Sequence, residues 1–165
     1  MAFFNDELIN ELKTEGEKTR KILALVPFDK LDYAPHEKSM KMGVLAFHVA
    51  GLPEWVTITI NQDELDFATQ KFDAPKPQNA DELLERLDKN VADALAAIKG
   101  VSEETWKKPW TLRSGEHVIM TLPKSEVVRS FAINHLIHHR AQLGTYLRML
   151  DIPIPGMYGS SADEK

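Results

Sequence analysis

Apolar residues recur at helical spacing in four long runs, and stretches rich in proline and polar residues separate them. Each run specifies a helix with one face to bury, and four such helices bury those faces most simply against one another. From Phe3 to Val26 the stripe is Phe4, Leu8, Ile9, Leu12, Ile22, Leu23 and Val26, closed by Pro27. A polar loop containing Pro35 follows and ends in Ser39, a candidate N-cap. The second run, about Lys41 to Ile60, carries Met42, Leu45, Val49, Leu52, Val56 and Ile60 on one stripe. Pro53 inside it removes the hydrogen bond to the Val49 carbonyl and should kink the helix, because the apolar period resumes directly beyond it.

A loop around Pro75 and Pro77 leads to Asn79 or Asp81 as the cap of a third helix, which reaches about Lys99 and stops at Gly100. The stretch "ETWKKPWTLRSGEHVIMTLP" then changes character. Tryptophans, threonines and valine flank a Ser-Gly pair, which predicts a short β-hairpin or irregular segment whose first strand Pro109 weakens. A fourth helix runs from Pro123 or Lys124 to about Leu150, where "DIPIPG" stops it. The expected fold is all-α: an antiparallel four-helix bundle, one domain over residues 1–165, with the hairpin between helices three and four.

Composition narrows the function classes. Apolar residues are 43% and charged residues 27%, the balance of a globular chain with a real core. The net charge is -5 and the lysines and arginines are scattered, so no basic face is available for nucleic acid. No run approaches the roughly 18 apolar residues that span a bilayer. The start "MAFFNDELINEL" is acidic where a signal peptide is basic and then apolar, so the expectation is a cytoplasmic protein with no membrane partner. The chain has no cysteine, which removes disulfides, thiolate ligands and a cysteine nucleophile together. Any metal must be held by nitrogen or oxygen, and any thiol chemistry must take its thiol from a substrate.

The fourth helix holds "NHLIHHRAQLGTYLRML", with three of the six histidines within five positions. On a wheel of roughly 100° per residue, His135 and His139 fall inside the apolar stripe set by Val128, Ala132, Leu143, Tyr146 and Leu150, while His138 falls on its rim, a candidate to support a ligand and not to be one. Their i, i+4 spacing stacks two imidazoles on one face, the geometry by which helical histidine pairs hold zinc. His48, on the second helix with Leu45, Leu52 and Trp55, also projects inward and is the candidate third ligand. Hydrogen-bonded core histidines fit the spacing as well as a metal site does. Gln142 and Tyr146 face the same way as the pair and are candidates to orient a bound group, although Tyr146 fits equally as a core aromatic. Arg140 points away and is assigned to structure or a subunit contact; His117 and His36 fall in the hairpin and the first loop, and the tryptophans read as packing residues.

The segments "LAFHVAGLPEW" and "HLIHHRAQLGTYLRMLDIPIPGMYGSSADE" closely resemble the DinB-like superfamily, which includes the YfiT-type metal-dependent hydrolases and the bacillithiol and mycothiol S-transferases. The likeness follows the order of elements over nearly the whole chain and is most specific in the last thirty residues. It implies a DinB/YfiT-type bundle, usually a homodimer, with a divalent metal on His48, His135 and His139, the triad that the wheel selects. Two positions depart from the pattern: Ala141 stands where the family often has glycine, and Pro53 follows His48 closely enough to reshape a pocket mouth.

Three neutral imidazoles leave a metal its full double charge and an open position, so a bound water or thiol there can be activated. The implied reactions are therefore hydrolysis of a small molecule or transfer to a low-molecular-weight thiol. Zinc or nickel suits such ligands first, with iron or manganese as alternatives. No carboxylate flanks His135 as in an HExxH helix, which keeps open a second reading, a metal-stabilised ligand-binding or stress-associated dimer without catalysis.

Overall fold

The computed structural model describes residues 2–70 and 77–164, so Pro75 of the expected loop lies outside the described residues. The first helix, α1, spans Ala2–Leu23. It ends earlier than its apolar stripe because Leu25 and Val26 close tighter turns onto the carbonyls of Ile22 and Leu23, at 3.1 and 3.2 Å, which still leaves Val26 in the core.

The second run is broken in two, α2 (Met42–Gly51) and α3 (Glu54–Asn61), which meet at 45° on either side of Leu52 and Pro53. The proline does kink the path, but it also interrupts the helix. Ser39 is not the cap of α2. Lys41 occupies that position without a side-chain bond, and the first free N–H groups go to the loop instead: Met42 donates to the Tyr33 carbonyl at 2.8 Å and Gly43 to the Leu31 carbonyl at 2.9 Å. Among the described residues no single helix is long and apolar enough to cross a membrane.

Helix α4 (Ala80–Ile98) starts as expected at Asn79, whose Oδ1 accepts the Glu82 N–H at 2.9 Å. Asn79→Ala should therefore cost about 1 kcal/mol in urea unfolding, the usual value of an N-cap; a loss below about 0.3 kcal/mol would mean water replaces the cap without penalty.

The segment expected to open the hairpin is first a short helix, α5 (Glu103–Lys107), because Ser102 caps it by accepting the Thr105 N–H at 3.1 Å. The hairpin follows as β2 (Pro109–Ser114) and β3 (His117–Pro123), antiparallel, with an irregularity at Leu112 and Arg113 and a turn at Gly115, φ +58°, where a side chain would be strained. A third strand, β1 (Glu64–Asp66), pairs in parallel with β2 and corrects the all-α expectation. Arg113 ties the two strands, meeting Glu64 at 2.8 Å and Asp66 at 2.5 Å.

The last helical run is continuous from Lys124 to Met149, but it is not one α-helix. It comprises α6 (Lys124–Val127), a π-helical segment (Val128–Asn134) and α7 (His135–Met149), stopped where Asp151 takes a left-handed conformation, φ 57°. Wider π turns rotate everything after them relative to an α wheel drawn from Val127. The fully buried stripe of α7 is accordingly Leu136, Arg140, Leu143 and Leu147, each at most 2% exposed, and the histidines flank it instead of lying at its centre.

Three apolar clusters fill the interior. One joins the end of α1 with α2, α4 and α7, a second joins the start of α1 with α3, the end of α4, α5 and the π segment, and a third seats the sheet against α6. Trp106 and Trp110 are buried, and Trp55 packs on Phe131 and Trp110 at centroid distances of 5.5 and 6.0 Å, so the tryptophans are packing residues.

Candidate metal centre

Helix α2 packs against α7, and this contact brings His48 to the paired histidines eighty-seven positions later. Leu45, Val49 and Leu52 bury the inner face of α2, which turns the His48 ring toward α7 from the edge of that face. The ring centroids of His48, His135 and His139 lie 4.6 to 5.1 Å apart. One nitrogen from each falls within 4.8 Å of the others.

His48 Nε2 and His135 Nε2 are 3.5 Å apart. Two nitrogens sharing a tetrahedral zinc at about 2.0–2.1 Å sit about 3.3–3.4 Å from each other. A direct N–H···N bond prefers about 3.0 Å, so the spacing suits two ligands of one ion better than a donor and an acceptor.

The electrostatics agree. Burial, reinforced by His139 and His135, pushes the His48 imidazole down to about 4. Burial, with His139 and His138 adding to it, also lowers His135 against the opposing effect of the Phe131 backbone. Burial outweighs the bond to Gln142 to lower His139. All three shifts favour the neutral ring, which is the state that offers a lone pair.

The other expected residues separate. His138 is exposed; its ring stands 4.9 Å from that of His139, outside the cluster. Gln142 sits one turn beyond His139 and its Oε1 lies 2.7 Å from His139 Nδ1. Tyr146 is buried, with its ring edge against Tyr33 at 6.0 Å and its hydroxyl donating to the Met40 carbonyl at 3.2 Å, so its polar end serves the loop before α2. His117 and His36 are exposed and fall outside the cluster. Ala141 lines a groove on the opposite side of α7, with Ile137, Gly144 and Met157, so that departure lies away from the triad.

Arg140 corrects the wheel most. It is 2% exposed and pairs at 2.6 Å with Glu15, itself 4% exposed, which fixes α7 against α1. An arginine between histidine and alanine carries no local signal for burial; only the complementary Glu15 on the first helix hints at it.

The pattern that defines the DinB family matches residues 1–165. The chain belongs to the DinB family. Among the proteins it resembles, YrdA of Bacillus subtilis, itself uncharacterized, is 22% identical over 163 residues, 96% of this chain and 90% of YrdA. The DinB-like protein YjoA of Bacillus subtilis superposes with a TM-score of 0.69 at 15% identity, covering 92% of this chain and 97% of YjoA. YfiT of Bacillus subtilis, described as a probable metal-dependent hydrolase with an unusual four-helix bundle topology, gives 0.68 at 13% identity over 90% of this chain and 89% of its own. At these identities the structural likeness concerns the fold: this DinB chain is mostly helical and similar to the YfiT bundle, with a small three-stranded sheet beside it.

Proposed function

We propose that this DinB protein is a metal-dependent enzyme, a hydrolase or a thiol S-transferase acting on a small molecule, with His48, His135 and His139 as the ligands of one divalent ion. The observation that carries the reading is the convergence of three imidazoles, drawn from two helices, with one ring nitrogen of each within 4.8 Å of the others. Three nitrogen ligands are the set of an open, catalytic site, and such an ion acidifies a bound water or thiol. The chain's own part is to hold three uncharged nitrogens in place: α2 supplies one through the packing of its inner face, and one face of α7 supplies two. Zinc or nickel suits this set first.

The scaffold belongs to the same reading: a single domain over residues 1–165, an antiparallel four-helix bundle of the YfiT type, working as a homodimer in the cytoplasm. The described bundle of helices and the family membership support it.

A second reading, a metal-stabilised binding module, draws on one feature: among the described residues the histidine cluster includes no carboxylate to act as a general base. The two readings part in turnover. Metal-loaded protein is assayed with an electrophile plus low-molecular-weight thiols, and separately with ester and amide panels; turnover in either supports the enzyme, and tight metabolite binding with no turnover supports the module.

The ligand set is tested by metal analysis of untagged protein. Wild type should carry about one ion per chain, His48→Ala, His135→Ala and His139→Ala should lose it, and His138→Ala should keep it. Retention by His135→Ala or His139→Ala, with loss by His138→Ala, would overturn the assignment.

A further inference from the structure

A histidine can offer a metal only one nitrogen, and which one is set by what the other nitrogen bonds. In water the neutral ring prefers its proton on Nε2, which would leave His139 Nε2 without a lone pair. The structure supplies the opposite bias. Gln142 Oε1 stands 2.7 Å from His139 Nδ1, a strong hydrogen-bond distance with an oxygen that can only accept. The proton is thereby drawn to Nδ1 and the lone pair to Nε2.

At His135 the backbone departs from a regular helix. Across the π segment its own N–H reaches the Ala132 carbonyl, not the Phe131 carbonyl four residues back that a regular α-helix would use. The Phe131 backbone acts on the His135 ring as an acceptor, opposing the effect of burial. His135 already presents Nε2, at 3.5 Å from His48 Nε2.

We infer that Gln142 is a positioning residue: it holds His139 as the Nδ1–H tautomer and so aims Nε2 at His48 and His135. The consequence for the ion rests on the proposed metal centre, while the tautomer itself does not. Gln142 is exposed, so replacing it removes the acceptor without opening the core.

The test has two arms. In metal-free, 15N-labelled full-length protein at one fixed pH, two-bond 1H–15N correlation spectra should show His139 protonated at Nδ1 in wild type. Gln142→Leu should move it toward the Nε2–H form, and Gln142→Glu, which keeps an acceptor oxygen, should restore Nδ1–H. In zinc competition against a chromophoric chelator, Gln142→Leu should weaken binding by about 10–100-fold and Gln142→Glu should recover most of that loss. An unchanged His139 tautomer in Gln142→Leu overturns the inference, as does zinc affinity within about twofold of wild type in the leucine variant. If wild type itself binds no zinc, the metal-centre reading fails, and the tautomer arm still decides the role of Gln142.

Discussion

Arg140→Met should lower the unfolding free energy by up to about 3–5 kcal/mol, the cost of leaving one partner of a buried ion pair behind, reduced to the extent that Lys18 still faces Glu15. Arg140 and Glu15 are 2% and 4% exposed, and their 2.6 Å contact is one bond of a closed set. Arg140 Nη1 donates to the Glu15 carbonyl at 3.1 Å and to Thr19 Oγ1 at 3.3 Å, and Nη2 donates to Tyr158 Oη at 2.8 Å. The tyrosine hydroxyl donates in turn to Glu15 Oε2 at 2.7 Å. Methionine keeps the length of the stem but leaves the buried carboxylate with only Lys18 at 3.0 Å and Tyr158 at 2.7 Å, whereas Arg140→Met combined with Glu15→Leu should recover most of the loss. Urea unfolding at pH 7 measures both; a loss under about 1 kcal/mol in the single variant would place the pair among ordinary surface contacts.

The same network sets a pH dependence. Burial pushes the Glu15 carboxyl up, but hydrogen bonds from Tyr158, Lys18 and Arg140 outweigh it and hold the group below its ordinary 4.5. A carboxylate lowered in the folded state stabilises the fold above its unfolded value and loses that contribution as pH falls through the folded one. The stability gap between wild type and Arg140→Met should therefore be full above about pH 5 and shrink on acidification below it.

Arg140 also shows where reading the chain stops. The helical runs, the Pro53 bend, the Asn79 cap and the hairpin are all written locally, in periods and punctuating residues a few positions apart. Strand β1 is not, because three residues carry no period and become a strand only by pairing with β2. The π segment is equally silent, since Val127, Val128, Ala132 and Ile133 fit an α stripe and a π stripe alike. Its consequence is a rotation of α7 that moves Arg140 into the core. The histidine triad survives that rotation because His135 and His139 share one regular α-helix and keep their mutual spacing whatever precedes it. His48 is legible for a similar reason, as Leu45 and Leu52 mark its face before the Pro53 break, even though Trp55, which continues the stripe in the sequence, falls in α3.

Metal should stabilise this protein strongly, and His48→Leu should abolish that gain while leaving the metal-free fold as stable as wild type or more so. In metal-free protein three half-buried or buried imidazoles crowd one another, and the lowering of His48 to about 4 records how poorly the place suits a charge. Leucine at 48 would add apolar contact to the face formed by Leu45, Val49 and Leu52, a gain of about 0.5–2 kcal/mol typical of relieving a site kept for function. Binding to the folded state alone adds RT ln(1 + [L]/Kd), about 4 kcal/mol at a free-ion concentration about a thousand times Kd. Thermal and urea unfolding in chelator and then with zinc should therefore cross over: His48→Leu equals or exceeds wild type without the ion and falls well behind it with the ion. An equal gain in both proteins would remove His48 from the ligand set, and a variant weaker than wild type in chelator would mean the imidazole is a structural member of the core and not a residue retained at the expense of stability.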